Sequence, residues 1–349
     1  MTTAVSFRQL TTLEVGGEAR QFADVSSCDQ ALQLYREARQ QGLPVLVLGG
    51  GSNMLVSDRG FDGLVLRWQD RRLDVLEQSA EQVVVRVGGG WVWDEWVGET
   101  VARNWAGLEC LSGIPGLVGA APIQNIGAYG QEVAGLIRAC WVLDWESGQE
   151  IRLLSQECAF GYRDSRFKRD WKGRFLVTSV EFVLRPEGAP VLRYKELQQK
   201  MEGRPQSLSE VRQMVLTIRR SKSMVWDPSD PNHRSAGSFF MNPIVPTSQA
   251  ESLIEEFPDM PSWPGAPGTT KLSAAWLIER SGFPKGWGEG PAGLSTNHVL
   301  ALVNRGGARA SDLLQIAGQV RRGVAARFQV QLHPEPEMVG FDRPLEELL

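Results

Sequence analysis

Two glycine-dense segments are where this 349-residue sequence has the means to do chemistry. The first reads Leu48-Gly49-Gly50-Gly51-Ser52-Asn53-Met54-Leu55, and the second runs over residues 112–130. Glycine reaches positive φ and carries no side chain, so such loops let backbone N–H groups converge on an anion. Ser52 and Asn53 add side-chain donors to the first loop, although that composition alone also fits an ordinary tight turn. The second loop is more specific. Pro115 and Pro122 stiffen it, the five glycines Gly113, Gly116, Gly119, Gly127 and Gly130 permit close approach, and Gln124 with Asn125 offers paired amide donors and acceptors. Such a segment is costly to keep ordered as a mere connector. Two anion cradles in one chain suggest the pyrophosphate of a dinucleotide.

The elements that must position these loops can be read from periodicity. Residues 27–41 predict a helix: Ser27 and Gln30 form a capping box, Ala31, Leu32, Tyr35 and Ala38 make one apolar stripe, and Gly42 with Pro44 ends it. Val45 to Leu48 is a buried strand entering the first loop, and Leu64-Val65-Leu66 is a second strand about ten residues later. A Rossmann unit needs its glycine loop to open a crossover helix of about a dozen residues before the next parallel strand. The spacing leaves no room for one, so the loop reads as a strand-to-strand cradle. A strand at 83–87 leads through Gly88-Gly89-Gly90 into a Trp-rich helix reaching about Trp105. Strands near 137–145 and 175–184 flank a loop at 160–172, and Ser207 with Glu210 caps a helix running to about Ser221. Beyond a Pro- and Ser-rich stretch at 226–236 come helices near 248–257 and 271–281. The last helix carries Leu313, Ala317, Val320, Val324 and Phe328 at helical spacing and so covers a sheet. The pattern is α+β.

Bulk composition narrows the class. The length exceeds what one core usually fills, which predicts two or three domains. Hydrophobic residues at 42% and charged residues at 22% match an ordinary globular protein, and no apolar run is long enough for a membrane span. A net charge of −4 gives no global attraction to nucleic acid or anionic lipid, so an anionic ligand must be held by local donors. The N-terminus has no basic stretch followed by an apolar one, which predicts a cytoplasmic protein. Cys28, Cys110, Cys140 and Cys158 form no Cys-x-x-Cys pair, which argues against structural zinc and a disulfide framework. Most of the 12 tryptophans read as packing.

The two loops, together with GYRDSRFK at 161–168, GSFFMNP at 237–243, KLSAAWLIERSGFPKG at 271–286 and LHPEPEMVG at 332–340, resemble the MurB family, the UDP-N-acetylenolpyruvoylglucosamine reductases, in the family's order and over nearly the whole chain. The resemblance, to the type I branch, implies an FAD-binding fold of the vanillyl-alcohol oxidase type built from two α+β subdomains, at 1–70 and 71–221. It adds a smaller α+β substrate domain at 222–330 and a C-terminal segment at 331–349 carrying a catalytic glutamate. It implies a monomer with non-covalent FAD, NADPH as hydride donor, and UDP-N-acetylglucosamine enolpyruvate as substrate, reduced to UDP-N-acetylmuramate for peptidoglycan. FAD would lie against Leu48, Gly49, Gly50, Gly51, Ser52 and Asn53, and against Gly113, Ile114, Pro115, Gly116, Gly119, Ala120, Gln124, Asn125, Gly127, Ala128, Tyr129 and Gly130.

The same resemblance assigns catalytic roles. Arg163 would grip the enolpyruvyl carboxylate with two hydrogen bonds. Ser238 would protonate the α-carbon, and Glu335, its pKa raised beside an anion, would assist the enol-like intermediate. On the residues alone, Arg163 is a surface ion pair with Asp164, Ser238 a turn serine and Glu335 an exposed tail carboxylate. Tyr194 matches the tyrosine of a mobile loop over the uridine diphosphate, and Tyr162, Lys222, Asn242, Lys285 and His298 match residues on the substrate side. Three positions depart from the family pattern. Met241 stands where a lysine is common, His298 where glutamine or histidine occurs, and Pro336 where an apolar residue follows the glutamate, which leaves Glu337 as a second choice to Glu335.

Rival readings meet specific obstacles. A covalent flavin oxidase needs a histidine near its cofactor, and His233, His298 and His333 all lie beyond the first two domains. Three separated histidines supply no metal cluster for a hydrolase. A binding module without turnover has no use for a proton donor such as Ser238.

Overall fold

The first helix spans Cys28–Gln40 in the computed structural model of the chain, which describes residues 2–204 and 206–349. Ser27 Oγ accepts the Gln30 N–H at 3.3 Å, but Gln30 Oε1 returns to the N–H of Ser26, not of Ser27, so the capping box closes one residue early. Gly42, at φ +72°, ends the helix. Ala31 and Ala38 are fully buried, and Tyr35 stacks on Trp145 with ring centroids 4.4 Å apart. The apolar stripe read from spacing is therefore the packed face.

Two units divide the chain. One comprises Met1–Val5, Ala19–Gly51 and Asp62–Val225, and the other Ser6–Glu18, Ser52–Phe61 and Trp226–Leu349. The first unit holds a four-stranded sheet in the order Thr2–Ser6, Glu18–Val25, Phe61–Trp68, Val45–Leu48. Val45–Leu48 and Phe61–Trp68 run parallel, Val45 opposite Leu64, with no crossover helix between them. The connection instead leaves the sheet through the short strand Met54–Val56. The larger sheet of this unit is antiparallel, in the order Glu150–Leu154, Ile137–Asp144, Phe175–Pro186, Val83–Gly88, Leu73–Gln78. Its inner face is covered by the Trp-rich helix, Trp93–Ala102, whose Trp93 and Trp96 pack on Phe182. The helix Leu208–Ser221 is capped by Ser207 Oγ, which accepts from Glu210 N as the sequence predicts.

In the second unit the helix Ala310–Phe328 buries Leu313, Ala317, Val320, Val324 and Phe328 along one face. It packs on the hairpin Ala292–Leu294 and Leu302–Asn304. Each fully buried Leu, Val or Phe contributes roughly 1.5–3 kcal/mol relative to exposure. A three-stranded sheet of Ile244–Pro246, Thr269–Leu272 and Ser262–Pro264 sits with the helices Thr247–Glu256 and Ala274–Arg280. Met54–Val56 pairs in parallel with Glu337–Val339, so a segment from the first sixth of the chain joins the C-terminal unit. Among the described residues no helix is long and apolar enough to cross a membrane.

That early segment also closes the longest helix. Asp58 Oδ1 accepts the Ala310 N–H at 2.7 Å, while Oδ2 accepts the Ser311 N–H at 3.1 Å and the Ser311 hydroxyl at 2.8 Å. Arg309, at the N-cap position, has a donor-only side chain and cannot serve N–H groups itself. Asp58→Ala is expected to lower stability by about 1–2 kcal/mol, read as a lower urea midpoint by circular dichroism. An unchanged midpoint would show that the remote cap contributes nothing.

Candidate functional site

The two glycine loops meet in the first unit. A Cβ on Gly50 would stand 2.7 Å from Gly116 Cα, and one on Gly49 would stand 2.9 Å from Ala120 Cβ, so only glycine allows the two main chains this close. Gly51, Gly113 and Gly116 all have positive φ. Behind them lies a third glycine run. Gly89 donates to Thr178 O at 2.7 Å and its own carbonyl accepts the Gly119 N–H at 2.9 Å. A Cβ on Gly88 or Gly90 would come within 2.5 Å of the 69–70 backbone. The front of this assembly, from Ile114 to Leu117 with Gly119, Ala120 and Gly50, remains partly or fully exposed. A strip of accessible main chain on a rigid backing fits an extended nucleotide with its pyrophosphate.

The second loop is anchored at both ends. At its start, Asp94 Oδ1 accepts the Gly113 N–H at 2.6 Å while Arg212 grips both carboxylate oxygens at 2.6 and 2.9 Å. Burial pushes the Asp94 carboxyl up, but the Arg212 and Gly113 hydrogen bonds outweigh it and hold the group below its ordinary value of 3.8. At its end, strands Gly127–Ala128 and Gln131–Glu132 form a hairpin whose two turn residues, Tyr129 and Gly130, have φ +50° and +79°. Asn125 is buried at φ +45°, and its Nδ2 donates to Glu132 Oε2 and to Gly161 O, both at 2.9 Å. Its Oδ1 accepts the Ala134 N–H. With both N–H donors engaged inside the protein, Asn125 fixes the hairpin's shape and has no donor left for a phosphate.

Arg163 sits beside that hairpin. Gly161 and Asp164 exchange backbone hydrogen bonds of 2.9 and 3.2 Å, which leaves Tyr162 and Arg163 as the two residues of a tight turn, Arg163 at φ +54°. A long side chain in the left-handed region is uncommon and tends to mark function. The guanidinium donates from Nη2 to Gly127 O at 2.7 Å and lies 5.6 Å from the Tyr162 ring centroid. Asp164 pairs with Arg169 at 3.1 Å. Tyr194 stacks edge-on against Tyr129 at 5.4 Å, and Lys222 pairs with Glu196 at 2.7 Å. Burial raises the Tyr129 hydroxyl to about 12, despite the opposing Arg219 charge.

The second unit brings its own residues together. Phe239 O accepts the Glu335 N–H at 2.8 Å, Met241 N–H donates to His333 O at 3.0 Å, and Phe240 bridges Pro334 antiparallel. Ser238 and Glu335 therefore sit on neighbouring extended segments, tied one residue apart. Asn53 brackets the same segment: its Nδ2 donates to Glu335 O at 3.3 Å and its carbonyl accepts the Glu337 N–H at 3.0 Å. Glu337 opens the strand Glu337–Val339. Asn242 Oδ1 accepts the Ala274 N–H at 2.9 Å, which turns the NH₂ end of its amide away from the helix Ala274–Arg280. Lys285 is exposed, and half-buried His298 lies in the turn before Leu302–Asn304, its carbonyl accepting the Ala301 N–H. Sequence reading missed Gly88–Gly90 and Asp94. The first carried a signal, three consecutive glycines, while the second is an ordinary helical residue whose partners are far away in sequence.

A model of an FAD binding domain matches residues 19–146, and a model of the C-terminal domain of UDP-N-acetylenolpyruvoylglucosamine reductase matches 228–339. With the cradle described above, these define an FAD-dependent oxidoreductase of α+β fold. The UDP-N-acetylenolpyruvoylglucosamine reductase of Salinispora arenicola is 48% identical over 342 residues, covering 95% of this chain and 93% of its own. That of Thermobifida fusca is 44% identical over 347 residues, covering 96% of this chain and 97% of its own. The crystal structure of the reductase from Thermus caldophilus superimposes with a TM-score of 0.66 at 27% identity, covering 97% of this chain and 99% of that one. The chain belongs to the UDP-N-acetylenolpyruvoylglucosamine reductase family.

Two substitutions test the cradle. Gly50→Ala must displace the Gly116 backbone, so the purified protein is expected to carry much less flavin at 450 nm with little loss of helix content; full flavin occupancy would show that the close approach is dispensable. Asp94→Asn is expected to loosen Gly113 and weaken FAD retention. Because the folded carboxyl titrates below its ordinary value, the wild-type contribution is complete above the ordinary carboxylate range and is lost as pH falls through the lower folded value. The difference between wild type and variant should therefore be constant from pH 8 to 5 and shrink only at acid pH, as read by flavin release.

Proposed function

We propose that this enzyme reduces the enolpyruvyl ether of UDP-N-acetylglucosamine to the lactyl ether, UDP-N-acetylmuramate, with NADPH as the reductant, and that it acts as a cytoplasmic monomer in peptidoglycan precursor synthesis. The names of its relatives and the FAD binding domain support this reading. The observation that carries it is the hydrogen bond from Glu335 N–H to Phe239 O, which ties a serine and a carboxylate one residue apart on adjoining segments. The domain limits proposed from the family pattern are 1–70 and 71–221 for FAD, 222–330 for substrate and 331–349 for the glutamate.

FAD would be held by Leu48 to Gly51 and by the second loop from Gly113 to Ala120, whose accessible front is Ile114 to Leu117 with Gly119 and Ala120, with Gln124 and the Gly127–Gly130 turn at its far end. Bound there, it supplies a ring able to take hydride from NADPH and deliver it to the enolpyruvyl methylene carbon. The chain's own residues do the rest. Arg163, fixed by its turn and by Gly127 O, grips the substrate carboxylate and stabilises the charge that develops next to it. Ser238 donates its hydroxyl proton to the α-carbon. A neutral serine is a weak acid, so the step depends on a strongly basic carbon and on an oriented hydroxyl; the pairing of 239–241 fixes the backbone next to it. Glu335, anchored through its N–H and its carbonyl, stands by that carboxylate as the assisting group; Glu337 is the second choice. Tyr162, Tyr194, Lys222, Asn242, Lys285 and His298 bind the nucleotide-sugar, Asn242 through its NH₂ end.

The purified protein is expected to be yellow and to oxidise NADPH when given the enolpyruvyl nucleotide-sugar; a colourless preparation that cannot be loaded with flavin would sink the reading. Ser238→Ala should leave anaerobic bleaching of the flavin by NADPH largely intact and slow its reoxidation by the nucleotide-sugar by about 10²–10⁴-fold. Equal losses in both half-reactions would mark a folding or flavin defect instead.

A further inference from the structure

One cation in the first unit has no role in the chemistry described so far. Arg219, in the last turn of the helix Leu208–Ser221, points back under the second loop. Its Nη2 donates to Met224 O at 2.6 Å, and its charge acts on the Tyr129 hydroxyl. Its Nε is buried with no hydrogen-bond partner among the described residues. A Cβ on Gly113 would stand 2.8 Å from Leu216 Cδ2, 3.1 Å from Val225 Cγ2 and 3.2 Å from that Nε, so glycine at 113 makes room for the guanidinium along with two apolar side chains. Asp94, the carboxylate that acts on it electrostatically, is already gripped at both oxygens by Arg212. Arg163 lies close enough to repel it, and burial, the largest influence, also disfavours its charge.

A half-buried guanidinium with neutral partners, a buried Nε–H left idle and a second guanidinium acting against it is expensive to maintain. The cost is offset when an anion arrives. Arg163 holds the hairpin at Gly127 O and the charge of Arg219 acts on the Tyr129 hydroxyl of the same hairpin, so an anion there would meet two positive groups and a phenol. Planar guanidinium groups match a carboxylate in particular.

We infer that Arg219 is a second cation of the substrate-carboxylate site, acting with Arg163 and the Tyr129 hydroxyl on the Gly127–Glu132 hairpin. The inference rests on the substrate reading above. It explains why a side chain with no ion pair among the described residues is kept next to Gly113 and Tyr129.

The test is a titration of oxidised, FAD-loaded protein, followed by the flavin difference spectrum, with the enolpyruvyl nucleotide-sugar and with UDP-N-acetylglucosamine, which lacks the carboxylate. Wild type should bind the first more tightly. Arg219→Gln is expected to weaken the enolpyruvyl ligand by about tenfold or more while leaving UDP-N-acetylglucosamine within about twofold of wild type, and Arg219→Lys to lose part of the preference, since an ammonium cannot reproduce the fork. Equal weakening of both ligands, or a full preference retained by the glutamine variant, overturns the inference alone. Wild type that binds both alike overturns the substrate reading and this inference with it. Should the glutamine variant fail to hold flavin, Arg219→Lys decides: a selective loss of about threefold or more supports the inference, and an unaltered preference overturns it.

Discussion

The contact between Gly50 and Gly116 is the constraint on which the rest of the first unit is built. Two main chains meet there with no room for a methyl group, and that proximity is possible only if both loops are held by something other than side-chain packing. The structure supplies that support with backbone hydrogen bonds. The Gly119 N–H reaches Gly89 O, the Gly89 N–H reaches Thr178 O, and the Val118 N–H reaches Trp91 O. The cradle is in effect a continuation of the sheet, carried from Phe175–Pro186 through a glycine layer into the second loop. A nucleotide bound there would meet backbone whose position is set by the sheet, so little ordering would remain to be done on binding.

Electrostatics follow the same plan of fixing charges before a ligand arrives. Asp94 is clamped between Arg212 and Gly113, Lys222 is paired with Glu196, and Glu181, nearly buried, accepts from Arg152 and Trp141. Arg163 is different, because its backbone occupies the left-handed region and its guanidinium is directed to a carbonyl in the hairpin. Strain in a turn of that kind persists when surrounding bonds over-determine it, and here the reciprocal Gly161–Asp164 pair and the Asn125 bond to Gly161 O do so. The position of the charge is thus a property of the loop network and not of the arginine alone.

Local structure was largely legible in the sequence, because its causes are local. Ser27 and Ser207 cap the helices they were expected to cap, and the stripe from Leu313 to Phe328 is the buried face of the last helix. The absence of a crossover helix after Gly51 followed from spacing alone. What escaped reading depends on partners far along the chain. The strand Glu150–Leu154 has weak alternation and is recruited by Ile137–Asp144. Gly88–Gly90 read only as the link from a strand into the Trp-rich helix and proves to be the backing of the cradle. The place of Asp94 is set by residues 19 and 118 positions away, and no spacing rule reports such contacts. Arg163, Ser238 and Glu335 were recognisable only through family motifs, since as residue types each has a common structural explanation.

The first glycine loop shows why motif and fold had to be read together. Its glycines are fixed in the first unit by Gly116 and Ala120, whereas Asn53, two residues past Gly51, is fixed in the second by Glu335 and Glu337. The string LGGGSNML is therefore two devices in sequence. The glycine half exists to let backbones approach, and the Ser-Asn half exists to tether the segment that carries the glutamate, after which Met54–Val56 extends that tether as a parallel strand. A Rossmann-type glycine loop has one purpose, at the N-terminus of one helix. Here the glycines cannot be followed by a helix, because the next residues are already committed as pairing partners for a segment 282 positions away. The short return to Leu64 is the trace that this double commitment leaves in the sequence.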